Sequence, residues 1–203
     1  GNNEYVINWE NEGFEIKNST RSRAQNLSFM FKKGLTYSLF GFENFGVKYK
    51  DYGFLFDVSG SSIFTKDEDI LYYILSFLSS NTAFLYLSLL APTVNFQVGN
   101  IADLPLILDK DVSRKNRLKE LSKENINLSK KDWDNYERSW EFTTHPLIKY
   151  KLENKIESSF NNWNNIVKED YEKLKGNEEE INNIFINVYN LENDLSNNVI
   201  DRD

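Results

Sequence analysis

The sequence contains no cysteine, and among its 203 residues there is a single histidine. Without cysteine there is no disulfide, no thiol nucleophile and no thiolate metal site, a composition that suits a cytoplasmic protein. The lone histidine, His145, stands before Pro146 and has no second histidine with which to build a metal cluster, so it reads as structural. The GxGxxG, GxxxxGK[ST] and HExxH patterns are all missing. Asp and Glu are numerous but scattered over helix faces rather than paired. No catalytic site is visible, and a self-sufficient hydrolase lacks a nucleophile–base pair. Glu4, Glu10 and Glu12 stand where a signal peptide needs an apolar core. The chain opens on Gly1 and closes on Asp201-Arg202-Asp203, which suggests a piece of a larger protein.

What is present describes an ordinary globular chain, 40% apolar and 27% charged, long enough for one large domain or two small ones. The net charge of −7 hides an asymmetry. Between Ile16 and Lys50 stand Lys17, Arg21, Arg23, Lys32, Lys33, Lys48 and Lys50 against Glu43 alone, a local +6 that leaves −13 for the rest. A basic stretch in an acidic protein suits phosphate contact, while the acidic remainder limits indiscriminate binding. The plain alternative is a solvated, lysine-rich face.

The first third reads as short strands: Tyr5–Trp9, Phe14–Ile16, Phe45–Tyr49 and Phe54–Val58, with a hairpin-like turn at Gly34. Between them Thr20–Asn26 is a polar, basic loop or helix start. From Thr65 the period becomes helical. Thr65-Lys66-Asp67-Glu68 has the pattern of a capping box, and Ile70–Leu90 runs 21 residues without a charge. Ser79-Ser80-Asn81-Thr82 at its middle argues against a membrane span and for two buried helices, the second capped by Ser80 or Asn81. Pro92 and Pro105 frame a stretch in which Val94, Phe96 and Val98 alternate with Asn95, Gln97 and Gly99, a short strand with one buried face. Beyond it Ser129–Asp132 suggests a helix start ahead of Trp133, Tyr136 and Trp140. A long stripe from Leu152 to Leu174 is expected to end at Gly176, with Asn177 and Glu180 capping another helix. Trp133, Trp140, Trp163 and Phe96 are assigned to the core. The fold class is α+β: a small mixed sheet with buried helices over residues 1–108, then a helical region over 109–203.

Several segments carry a resemblance. Asn8-Trp9-Glu10-Asn11-Glu12-Gly13-Phe14-Glu15-Ile16, Phe31–Ser38, Tyr52–Ser62, Pro92–Ile101, Asp132-Trp133-Asp134, Ser139–Phe142, His145-Pro146-Leu147 and Asn177–Ile186 run in order along the chain. In these the chain resembles the specificity portion of large adenine-specific DNA methyltransferases of phage-defence systems (the BREX or phage-growth-limitation type), relatives of restriction enzymes that fuse modification and cleavage. Tyr37 stands where tryptophan is expected. The resemblance implies a target-recognition region followed by a helical spacer. It also implies an upstream domain of the parent chain that binds S-adenosylmethionine and holds a flipped adenine in an Asn/Asp-Pro-Pro-Tyr motif. Neither feature occurs in this sequence, so this chain is not expected to methylate alone. Double-stranded DNA, that upstream domain and other defence-system subunits are the implied partners, with no membrane.

The residues expected to touch DNA follow from side-chain chemistry. Arg21 and Arg23 can be bidentate to guanine or phosphate, and Gln25 and Asn26 can read adenine. Lys32, Lys33, Lys48 and Lys50, with Tyr49 between the last two, are phosphate candidates. The competing reading from a different class is a helical docking module in which the basic loop is incidental.

Overall fold

A computed structural model describes residues 5–41, 45–93 and 95–200. Its elements are α1 (Glu10–Asn18), β1 (Gly34–Tyr37), β2 (Val47–Lys50), β3 (Ser62–Ile63), α2 (Glu68–Leu78), α3 (Asn81–Leu90), α4 (Val98–Ala102), α5 (Val112–Trp133), α6 (Pro146–Lys149) and α7 (Ile156–Tyr189). The architecture is the expected α+β. The sheet is antiparallel in the order β2-β1-β3, with Leu35 opposite Tyr49 and Ile63.

The uncharged run supplies the centre. Leu71, Tyr73, Leu75, Phe77 and Leu78 of α2 meet Leu35 and Tyr37 of the sheet, Leu118 and Leu121 of α5, and Ile181 and Phe185 of α7 in one core. Apolar residues almost all round a helix require burial on every side, and α2 has sheet and helices to provide it. Ser76 and Ser122 let α2 and α5 approach closely, their hydroxyl oxygens 2.6 Å apart. The run breaks as expected: α2 and α3 meet at 72°, and Ser80 Oγ accepts from the Ala83 N–H at 3.2 Å to cap α3. Among the described residues no single helix is long and apolar enough to cross a membrane.

Several expected elements are overturned. Tyr5–Trp9 has no regular structure, and Tyr5 and Val6 are exposed, because among the described residues no strand lies alongside to pair with them. Phe14–Ile16 is helical, not a strand. Among the described residues Phe54–Val58 also lacks a strand partner, though the Phe54 carbonyl accepts from Phe31 N–H. The cap of α2 is Asp67, whose carboxylate accepts from Asp69 N–H at 2.8 Å. Thr65, two residues earlier, instead donates its hydroxyl to the Asp67 carbonyl. The strand between the two prolines shrinks to a single bridge, Asn95 with Phe40. Asn100 Oδ1 accepts from Gln97 N–H at 2.9 Å, which starts α4 at Val98 and leaves Val98 63% exposed; Val94 lies outside the described residues.

The helical half is longer and simpler than expected. Ser129–Asp132 ends α5 rather than starting a helix, and Lys130 and Lys131 there favour its C-terminal dipole. Gly176 does not stop α7, which runs 34 residues to Tyr189. Side-chain bonds to α5 support the helix just past the glycine: Asn177 Nδ2 donates to Glu124 Oε2 and Asn125 Oδ1, both at 2.8 Å. Trp140 is 66% exposed, not core, while Phe96 is buried and Trp133 and Trp163 are half-buried. His145 caps α6, its Nδ1 accepting from Leu147 N–H at 3.2 Å. Tyr73 and Tyr189 clamp the segment leading into α5. Their hydroxyls donate to Ile107 O (2.8 Å) and Pro105 O (2.5 Å) and accept from Asp109 N–H and Ile107 N–H. Burial pushes the Tyr189 hydroxyl up to about 12.

Arg117 of α5 grips Glu180 of α7 through two parallel bonds of 2.6 Å. The guanidinium holds the Glu180 carboxyl below the usual carboxylate range. A depressed folded pKa gives stability that is present at neutral pH and lost as pH falls through the folded value. Arg117→Ala is expected to cost about 0.5–1 kcal/mol at neutral pH, because the pair is half-exposed. The difference from wild type should shrink below about pH 4, as followed by urea denaturation at each pH.

Candidate nucleic-acid interface

The basic stretch occupies the loop before β1, the edge strand β2 and the turns facing them. α1 begins unusually: Asn11, Glu12 and Gly13 all take left-handed φ (49°, 59°, 74°). A Cβ on Gly13 would lie 3.0 Å from the Trp9 ring, so glycine lets the chain wrap on that indole. Trp9 packs edge-on against Phe31 and carries the Lys17 ammonium 5.6 Å from its centroid. This pins the basic loop at both ends.

Within the loop Arg21 and Arg23 are exposed. Ser22 between them is half-buried, its hydroxyl donating to Ile16 O, which turns the two arginines outward. With its amide oxygen facing Arg23, Gln25 accepts from Nε at 3.1 Å and Nη2 at 3.3 Å. Gln25 therefore orients a guanidinium. Asn26 takes a left-handed φ of 54° and opens the single 3₁₀ turn Leu27–Phe29, so its backbone has a structural task.

The sheet sorts the remaining candidates by the strand period of two. Val47 and Tyr49 face the core, and Tyr49 stacks on Tyr72 of α2 with ring centroids 6.1 Å apart. Lys48 and Lys50 lie on the opposite, outer face. Lys48 is exposed, whereas Lys50 is 6% exposed. The Lys50 ammonium sits 4.7 Å from the Phe56 centroid and 4.8 Å from that of Phe64, and donates to Ser62 Oγ at 3.2 Å. Burial lowers its pKa. Lys32 is exposed, its ammonium 5.5 Å from the Phe29 ring, which in turn leans on Phe64. Lys33 turns to α2, pairing with Glu68 at 2.8 Å, and this bond raises its pKa.

The expected set is thus divided. Arg21, Arg23, Lys32 and Lys48 are outward cations; Lys33 is neutralised by Glu68; Tyr49 faces the core, and Lys50, on the outer face, is covered by Phe56 and Phe64. Sequence reasoning missed Glu68 as the partner of Lys33 and the aromatic group Phe29, Phe56 and Phe64 around Lys50. The aromatic density was visible, but nothing local says which rings converge.

The small sheet is backed by buried helices and carries the outward cations, and comparison with known proteins gives the chain's relatives. No family model matches the chain. The chain is 36% identical over its whole length to an adenine-specific methyltransferase PglX from Lacticaseibacillus casei (strain Zhang), of which it spans 18%. It is also 36% identical over 91% of its length to an adenine-specific methyltransferase BrxX from Escherichia coli O9:H4 (strain HS), of which it spans 15%. It therefore belongs, as a segment under a fifth of their length, to the adenine-specific methyltransferase family that its motifs resemble.

Proposed function

We propose that this chain is the DNA target-recognition segment of an adenine-specific methyltransferase of a phage-defence or restriction-modification system. The observation that carries the reading is the set of outward cations Arg21, Arg23, Lys32 and Lys48, which lie in a basic stretch of an acidic chain that is related to such methyltransferases. Phosphate contacts fix register on the duplex and side chains at base edges choose the sequence. Residues 1–108 would grip the duplex and 109–203 act as spacer, while another part of the parent enzyme binds S-adenosylmethionine and flips the adenine. The setting is cytoplasmic, with other defence subunits as further partners.

The test is fluorescence anisotropy with a mixed-sequence duplex at low salt. Arg21→Ala/Arg23→Ala is expected to weaken binding roughly tenfold or more, a lost bidentate guanine contact alone being worth about 1–3 kcal/mol and a lost phosphate contact lowering the salt slope by about 1. Equal affinity of variant and wild type would remove this surface from the reading.

A docking role for the helical half is favoured by one observation. Ile148, Leu152, Ile156 and Phe160 are all more than half exposed near the start of α7. Salt-insensitive self-association, abolished by Ile156→Asp, would support that role in place of recognition.

A further inference from the structure

Lys50 presents an unusual balance. A lysine 6% exposed is normally paired with a carboxylate, because burying an uncompensated ammonium is expensive. Here no carboxylate pairs with it among the described residues, and desolvation alone accounts for its shift. Three donors have one hydrogen-bond acceptor, Ser62 Oγ, and two ring faces. Cation–π contact returns only part of the lost hydration.

The enclosure is also thin. Lys50 lies on the outer face of the sheet, and neither Phe56 nor Phe64 belongs to the main core cluster. Phe56 comes from a segment without regular structure, and both rings are only half-buried. Lys48, two residues away on the same face, is exposed, and Thr36 stands opposite it in register. The sequence makes room for this arrangement with Gly34, which pairs with Lys50 across the strands. A Cβ there would lie 2.5 Å from Ile63 O and 2.9 Å from Phe64 Cδ1.

We propose that this outer face is a phosphate-binding site in which Lys50 is the central charge and the bound phosphate is its counter-ion. The flexible four-carbon stem lets the ammonium leave the space between Phe56 and Phe64 as the anion arrives, with Lys48 the flanking cation. The phosphate belongs either to a nucleic-acid backbone, which rests on the recognition reading above, or to a free phosphate group. Charge-assisted bonds from ammonium to phosphate are the strong class, and an ammonium that starts poorly hydrated loses little water in forming them.

The experiment follows the Lys50 ε-methylene protons by NMR. Held over two rings, they are shifted upfield by ring currents, and they should move toward their ordinary position, saturably, as inorganic phosphate replaces chloride at constant ionic strength. Phosphate should also raise the melting temperature, and Lys50→Met should abolish that rise while melting no lower than wild type in chloride. The methionine variant fills the same space, so loss of the response is not loss of the fold. An unchanged Lys50 signal, or an equal phosphate response in Lys50→Met, overturns the site. A duplex that competes with phosphate for Lys50 assigns the site to the DNA backbone. Phosphate binding that duplex cannot displace leaves the site standing for a free phosphate and removes it from the recognition surface. Duplex binding with a Lys50 signal that neither duplex nor inorganic phosphate moves supports recognition and overturns the phosphate site.

Discussion

Phe185→Ala is expected to destabilise the chain by about 3–5 kcal/mol, the range for removing a fully buried ring. Phe185 is 0% exposed and is the point at which α7 joins α2. Its ring meets Tyr73 at 5.5 Å and Phe77 at 5.4 Å, both edge-to-face, and Phe77 in turn stacks on Tyr189. Truncation leaves a void beside two rings that are fixed by other contacts, Phe77 being backed by Tyr189. Tyr73 and Tyr189 are tied by their hydroxyls to the segment before α5, so neither can move in to fill it. For a chain of this length the loss corresponds to a fall of about 6–20 °C in melting temperature. Urea denaturation followed by circular dichroism measures it. A loss below about 1 kcal/mol would mean that α7 is not part of the central core.

Gly34→Ala is expected to have the next largest effect. The obstacles are a backbone oxygen, Ile63 O at 2.5 Å, and the Phe64 ring, not the end of a flexible side chain. β1 and β3 would have to separate, or the ring swing away from Lys50. Overpacking of this kind costs about 1–3 kcal/mol, and loss of pairing at Leu35–Ile63 would add to it. The effect should be separable from a general loss of fold. Thermal melts should fall, and the Lys50 side-chain protons should lose their ring-current shift even where the variant is fully folded. An alanine variant as stable as wild type would show that β3 is not held against β1 as described.

Particular residues show which parts of this fold could be read in advance. The uncharged run and its break at Ser79-Ser80 were legible because a buried helix needs apolar residues on all sides and a capping hydroxyl at its start. The class α+β and the family resemblance were legible for similar reasons, as ordered local patterns. Strands in the first third were legible only in part: Phe45–Tyr49 overlaps β2, and the others do not form. Tyr5–Trp9 and Phe54–Val58 have strand composition, but a strand exists only where another lies beside it, and that depends on distant chain. Gly176 looked like a helix end because glycine is costly inside helices, yet Asn177 bonding to Glu124 and Asn125 of α5 outweighs roughly 1 kcal/mol of propensity. At the candidate interface the charge count was legible and the destinations were not. Lys33 and Lys50 read alike in sequence, but α2 brings Glu68 to the first, and the Phe64 turn closes over the second.

The central claim is recognition of duplex DNA through the outward cations. The most direct test is the dependence of wild-type duplex affinity on salt. Four phosphate contacts release counter-ions in proportion, so the logarithm of the binding constant should fall linearly with that of salt concentration, with a slope of about −3.6. No binding at low salt, or binding indifferent to salt, would contradict the account.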